Sequence, residues 1–204
     1  MKWAELADED TVKRTSEALR DRGVHVELAE KREEALKKLM DLIPSGKVVM
    51  TGSSTTLKEI GFEDLLKSGK HPWNNLKDTI VNEKDPSKKM ELRKSSITAE
   101  YFLGSVHAVS QSGETITASN TGSQLPSYAF ASNNVVWVVG VQKIVLNIEE
   151  GLKRVREYCL PLEDYRMKQA GFGGSAIGKI LIFEREKLPN RRITLIFVNE
   201  KLGF

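Results

Sequence analysis

Hydrophobic and polar positions along the chain follow two rhythms, one helical and one of strand type. Residues 10–43 alternate charged and apolar groups at helical spacing, interrupted after Gly23 by Val24-His25-Val26-Glu27-Leu28, which alternates like a strand. The pattern predicts helix, short strand, helix. The second helix, 31–43, puts Ala35, Leu36, Leu39 and Ile43 on one face and stops before the turn signal Pro44-Ser45-Gly46. A buried strand, Lys47-Val48-Val49-Met50, follows. Residues 53–99 read as mostly helical, with breaks at Gly61, Gly69 and Asp85-Pro86. Val106–Val109 and Thr115–Thr117, joined through Gln111-Ser112-Gly113-Glu114, predict a β-hairpin. A helix over 122–131 leads to Val135-Val136-Trp137-Val138-Val139, an uninterrupted apolar run suited to the centre of a parallel sheet covered on both faces. Asn147 caps a helix whose Ile148, Leu152, Val155 and Cys159 share one face, which buries Cys159 and ends before Pro161. A glycine-rich stretch (Gly171, Gly173, Gly174, Gly178), read as a mobile flap, precedes the strands Ile180–Phe183 and Ile193–Val198. Helices alternating with parallel-type strands define an α/β fold.

Composition narrows the class. The 204 residues are 40% hydrophobic and 29% charged, as in a globular protein and unlike a disordered or fibrous chain. A net charge of +3 is too small and dispersed to argue for nucleic acid or an acidic membrane surface. The one cysteine, Cys159, rules out an internal disulfide and any cysteine-built zinc or iron–sulfur site from this chain alone. Acidic residues near Met1 and the absence of a long apolar run lead to the expectation of a cytoplasmic protein that does not enter membranes. The basic run from Lys84 to Lys94 reads as a solvated helix face.

The clearest chemical signal is Gly52-Ser53-Ser54-Thr55-Thr56, a hydroxyl-rich turn between a buried strand and a helix. Such a turn aims backbone N–H groups and hydroxyls at one spot and suits a phosphate or carboxylate, although an ordinary helix cap needs only one of these hydroxyls. It is not a P-loop, because no Gly-Lys-Ser/Thr follows. A second polar turn, Asn120-Thr121-Gly122-Ser123-Gln124, and a third segment, Gly140 to Lys143 after the most apolar strand, are placed to converge with it at the carboxyl edge of an open sheet. Lys143 either neutralises that anion or is a mobile surface lysine with no such role. Glu163 and Arg166 either pair with each other or meet a ligand across the cleft; Glu100 and Glu114 are the other carboxylates with the right chemistry for acid–base work. His25, His71 and His107 lack metal-ligand spacing, so no metal or cofactor is expected. No Gly-x-Ser-x-Gly elbow or ordered dinucleotide fingerprint is present.

Taken in order, Gly52–Gly61, Ala99–Val109, Asn120–Gln124, Val139–Val145, Leu160–Asp164 and Arg192–Phe204 resemble the lactate-utilisation (LUD) domain family. The resemblance spans residues 24–204 as one domain, with 1–23 as a helical segment before it. It implies a three-layer, Rossmann-like open sheet, mostly parallel with a β-hairpin, similar to the superfamily of sugar-phosphate isomerases, glucosamine-phosphate deaminases and CoA transferases. In that superfamily anionic ligands bind across the loops after the core strands. Carried onto this chain, the ligand-binding residues are Gly52, Ser53, Ser54, Thr55, Thr56, Asn120, Thr121, Gly122, Ser123, Gln124, Gly140 and Lys143, with Glu100, Glu163 and Lys143 as candidate catalytic groups. The implied partner is a small anionic metabolite; a non-catalytic subunit docking on iron–sulfur or flavin oxidoreductase partners, and an isomerase or CoA-transferase-like enzyme, are the alternatives. Many relatives carry an Asp-rich second loop and Asn before the lysine, where this chain has Ser123-Gln124 and Gln142, and some insert a cysteine-rich segment that is absent here.

Overall fold

The computed structural model describes residues 2–204. Its centre is strand β7 (Asn134–Gly140), whose apolar run is buried throughout. Val136 and Val138 join one core cluster while Val135, Trp137 and Val139 join another, so successive side chains serve opposite faces of the sheet. A strand apolar on both faces must be covered on both, and β7 is, between two strands parallel to it: β4 (Tyr101–Gly104) and β10 (Arg192–Val198). Outward from these lie β1 (Val24–Ala29) beyond β10, then β2 (Val48–Thr51) and β3 (Asn74–Asn75) beyond β4, in the order β1-β10-β7-β4-β2-β3. Every pairing in this six-stranded sheet is parallel.

One face is covered by α2 (Arg32–Leu42), α3 (Thr55–Glu59) and α4 (Phe62–Ser68), whose Ala35, Leu39, Leu57 and Phe62 are fully buried against Leu103, Val138 and Ile196. The other face meets α1 (Glu9–Asp21), through Leu19, and a second, four-stranded sheet. That sheet contains the expected hairpin, β5 (Ala108–Ser110) antiparallel to β6 (Thr115–Ser119), flanked by β8 (Ile144–Val145) and β9 (Lys179–Phe183). The aromatic series Phe102, Tyr128, Trp137, Phe183 joins the two sheets through edge-to-face contacts with centroids 5.4–5.6 Å apart. Helix α7 (Ile148–Arg154) closes the outer side of the second sheet. No helix among the described residues is long and apolar enough to cross a membrane.

Several elements differ from the pattern. Tyr101–Gly104 is a core strand although it comes directly after a helical stretch, α5 (Leu76–Asn82) and α6 (Pro86–Ser95). The segment Ile180–Phe183 pairs antiparallel with β6 in the second sheet, not in the parallel one. The helix begun by Asn147 does not stop at Pro161. A π-helical turn at Val155–Cys159 precedes α8 (Leu160–Gln169), so Pro161 falls in a first turn, where its missing N–H removes no α-helical bond that this helix needs.

The loop ahead of β7 is secured by one buried side chain. Arg191 donates to the carbonyl oxygens of Ser132 (3.0 Å), Ser127 (2.7 Å) and Tyr128 (2.6 Å) and pairs with buried Glu186. Replacing it by leucine takes the guanidinium from three carbonyls and leaves the Glu186 carboxylate without its countercharge, held only by the amides of Lys187 and Leu188. Arg191→Leu is therefore expected to lower unfolding free energy by about 3–5 kcal/mol, read from urea denaturation, whereas Lys67→Ala, which removes an exposed pair with Asp64, is expected to stay within about 0.5 kcal/mol.

Candidate functional site

All the parallel strands deliver their carboxyl ends to one edge of the sheet. From β2 the chain runs outward to β3, whereas β4 leads inward to β7 and β10, so the direction of winding reverses between β2 and β4. A crevice at such a reversal is where open α/β sheets bind ligands. The first turn of α3, close after β2, supplies Thr56, the segment after β4 supplies Ser105 and Val106, and the turn Val141–Lys143 after β7 supplies Lys143.

These meet at one atom. The Lys143 Nζ donates to Thr56 Oγ1 (3.1 Å), Ser105 Oγ (3.1 Å) and the Val106 carbonyl (3.2 Å). Lys143 is 2% exposed and forms no ion pair among the described residues. Burial, and then the charge of Arg154, pull its pKa down to about 7. Arg154 is itself fully buried; it donates to the His107 carbonyl, to Cys159 Sγ (2.9 Å) and to the Trp3 carbonyl (3.4 Å), and burial lowers its pKa. Burial, then Lys143 and Arg154, push His107 down to about 3, and its Nδ1 accepts from the Ala118 N–H at 3.2 Å, as a neutral ring does. Burial pushes the Cys159 thiol up against the pull of both cations.

The C-terminal segment forms one wall. Leu202, fully buried, accepts from Gln142 Nε2 at 2.8 Å, and the Gly203 N–H donates to Glu59 at 2.6 Å. Gly203 has φ +61°, and a Cβ there would sit 2.5 Å from Thr56 Oγ1 and 3.2 Å from Lys143 Nζ, so only glycine permits this approach.

Of the residues singled out from sequence, Thr56, Lys143 and Gly140 sit together, Gly140 lying under Gln142 and the Glu200–Leu202 backbone. Ser54 caps α3 by accepting from the Leu57 N–H at 3.2 Å; the amides of Ser53, Ser54, Thr55 and Thr56 donate to no protein group among the described residues. Gly52 accepts from Lys77 Nζ at 3.4 Å and faces Gln124, which brings the second loop alongside the first. The polar groups of that second loop are mostly engaged with one another. Ser119 Oγ donates to Gln124 Oε1 (2.9 Å) and accepts from the Gly122 N–H (2.9 Å), and Thr121 bonds Ser123 (3.3 Å), while no side-chain bond engages Asn120.

The carboxylates are elsewhere. Glu100 precedes β4 whereas Ser105 comes after it, so the strand, roughly 3.3 Å per residue, separates Glu100 from Lys143; it bonds Lys47 Nζ (2.7 Å) and the Val48 N–H (3.0 Å) at the amino edge. Glu163 forms a bidentate pair with Arg166, at 2.7 Å to both nitrogens, on the partly exposed surface of α8. Glu114 is bound by Ser110, Ser112 and Arg22 and ties the hairpin to the end of α1. Ser105, Arg154 and Gly203 were not singled out from sequence. Ser105 and Gly203 lie in the segments Ala99–Val109 and Arg192–Phe204 that carry the family resemblance, but nothing in the sequence marks Arg154. Among the described residues no cluster of three His, Cys, Asp or Glu side chains is set to hold a metal.

An open parallel sheet with a loop-built polar site at the carboxyl ends of its strands defines a Rossmann-like α/β domain. This chain belongs to the LUD domain family, whose model matches residues 12–198. Among solved structures it is similar to a DUF162 family protein from Deinococcus radiodurans, with a TM-score of 0.57 and 11% identity over 96% of this chain and 100% of the other, and the two share a fold. A ribose 5-phosphate isomerase from Plasmodium falciparum aligns at 13% identity over 82% of this chain and 94% of its own, but its TM-score of 0.37 is too low for a correspondence of sites. A search of curated proteins gave no match.

The depressed lysine makes stability depend on pH. Between the folded value of about 7 and the unfolded value of 10.5, the unfolded chain holds the Lys143 proton and the folded chain does not, so stability rises with pH across that window. Urea unfolding of wild type and Lys143→Met at pH 7 and pH 10 is expected to show wild type gaining on the variant by on the order of a few kcal/mol at the higher pH.

Proposed function

We propose that this LUD-domain protein binds a small anionic metabolite, of carboxylate or phosphate type, between the loops that come after β2, β4 and β7. Membership of the LUD family suggests a role in lactate utilisation, and the proposed ligand is the metabolite through which the chain supports lactate or organic-acid use. The observation that carries the reading is the buried Lys143, whose three hydrogen-bond partners are all neutral. A buried ammonium with no carboxylate in contact is costly, since Glu59 acts on it only through space, and an entering anion supplies the missing contact. Ser105 is the half-buried partner, so its hydroxyl is the one that the anion displaces or bridges. The amides of Ser53 to Thr56 add donors on the same side. Two buried acceptors without partners lie at this edge too, Thr51 Oγ1 at the end of β2 and Gln142 Oε1 beside Lys143, and they suit the hydroxyl of a hydroxy acid.

Titration calorimetry with inorganic phosphate and L-lactate tests the reading. At least one anion is expected to bind, more tightly as pH falls from 8.5 to 7 because the ammonium form is the binding form. Lys143→Met is expected to weaken binding by roughly tenfold or more, the value of a hydrogen bond to a charged group, and Ser105→Ala by less. No binding of either anion, or binding indifferent to both substitutions, overturns the proposal.

A further inference from the structure

We propose that Lys143 is a nucleophilic lysine, which condenses to an imine with a carbonyl compound that also carries a carboxylate or phosphate. The inference rests on the anion site described above and adds the reacting atom and the substrate class. Three observations carry it. First, Lys143 is held only by two hydroxyls and a carbonyl. Second, Lys143 and Arg154 take the successive carbonyls of Val106 and His107, which sets a second buried cation beside the first. A lysine that serves only to hold an anion gains from keeping its proton, yet burial and then the Arg154 cation favour the neutral amine, the form that attacks carbonyl carbon, against a smaller opposing pull from Cys159 and Glu59. The lowered pKa accords with this. Third, the two hydroxyls within 3.1 Å come from different loops, Thr56 on the wall beside Gly203 and Ser105 on the half-buried side, so protons can be passed to and from Nζ without a carboxylate.

The step balances without an oxidant or reductant. The Nζ lone pair forms the carbon–nitrogen bond as the carbonyl π pair moves to oxygen, and that oxygen takes a proton by way of Ser105. The nitrogen gives up one proton to leave the carbinolamine; its lone pair then expels the hydroxyl, which takes a second proton through Ser105 and leaves as water, and the iminium gives up its remaining N–H proton to become the imine. Amine plus carbonyl thus becomes imine plus water.

The test is reductive trapping of the full chain at pH 8, with pyruvate in one arm and dihydroxyacetone phosphate in the other, sodium cyanoborohydride as reductant, and peptide mass mapping as readout. The neutral fraction of an amine with a pKa near 7 exceeds that of an ordinary surface lysine by on the order of a hundredfold at this pH. A single reduced adduct on Lys143 is therefore expected in at least one arm, saturating with ligand, suppressed by excess phosphate or L-lactate, and missing from both Lys143→Met and Lys143→Arg. The arginine variant keeps charge and donors, and circular dichroism verifies that both variants fold. Adducts confined to surface lysines, equal in wild type and variants, overturn the imine; if calorimetry still shows Lys143-dependent anion binding, the proposed function stands without it. Loss of both signals removes both.

Discussion

Strand β7 sets the terms for the rest of the molecule. Its five consecutive apolar residues, Val135 to Val139, are buried on both faces, and at about 1.5–3 kcal/mol for each large side chain they favour only arrangements in which both faces are covered. Helices α2 to α4 cover one face, and α1 with the second sheet covers the other. Because the strand is central and parallel to its neighbours, its carboxyl end emerges in the middle of the sheet edge, flanked by the ends of β4 and β10. The turn Val141–Lys143 comes at once and carries a lysine across the end of β4 to Thr56. Taking one ammonium out of water costs several kcal/mol. The burial of β7 alone outweighs that cost, so the fold tolerates a site that is poor for stability.

How much of the fold is legible in the sequence depends on how local its determinants are. The runs that form β7 and β10 are apolar enough to be read without context, as is the hairpin around Gly113, and Asn147 does cap α7 as expected, accepting from the Glu150 N–H at 3.0 Å. Strand β4 is not legible locally because Tyr101–Gly104 has neither alternation nor a β-branched residue, unlike Val48-Val49 in the equally short β2, and pairing on both sides with β2 and β7 is what makes it a strand. Which sheet takes Ile180–Phe183 is likewise a matter of partners. The polar turns were legible as turns, since hydroxyls and glycine between strand and helix have few other uses. Their chemistry was only partly so. Thr56 reaches Lys143, whereas the Asn120–Gln124 turn spends most of its groups on itself. Glu100 looked suitable because a carboxylate near a core strand is attractive by type; its position at the amino end of β4 removes it from the opposite edge.

Arg154 illustrates a different limit. Helical periodicity groups Val155 and Cys159 on the apolar face and leaves Arg154 outside it, yet Arg154, Val155, Tyr158 and Cys159 are all buried. Gly151, Arg154, Val155, Tyr158 and Cys159 stand at i, i+3, i+4, i+7 and i+8, one helical face, so the buried face is turned away from the one that Ile148 and Leu152 mark. The single cysteine thus lies in the core, as its pattern indicates, but in polar company: its sulfur accepts from a guanidinium that cannot lose its charge.

The charge of the site is assembled from segments that are remote in sequence. Trp3 adopts φ +67°, an unfavourable conformation for a bulky residue, and the surroundings explain why it persists: its carbonyl serves Arg154 and its ring packs near Tyr158, with centroids 6.4 Å apart. Gly203, at the far end of the chain, closes over Lys143. Thr56, Ser105 and the carbonyls of Val106 and His107 complete the enclosure. None of these residues is charged except the two cations, so a net charge of +3 spread over 204 residues conceals a local excess that exists only in the folded chain. Outside the fold, Lys143 is an ordinary amine; inside it, desolvation and a neighbouring guanidinium lower its proton affinity, and its hydrogen bonds go to two hydroxyls and a carbonyl. The same packing that makes β7 the centre of the core thereby fixes the chemistry at its carboxyl end.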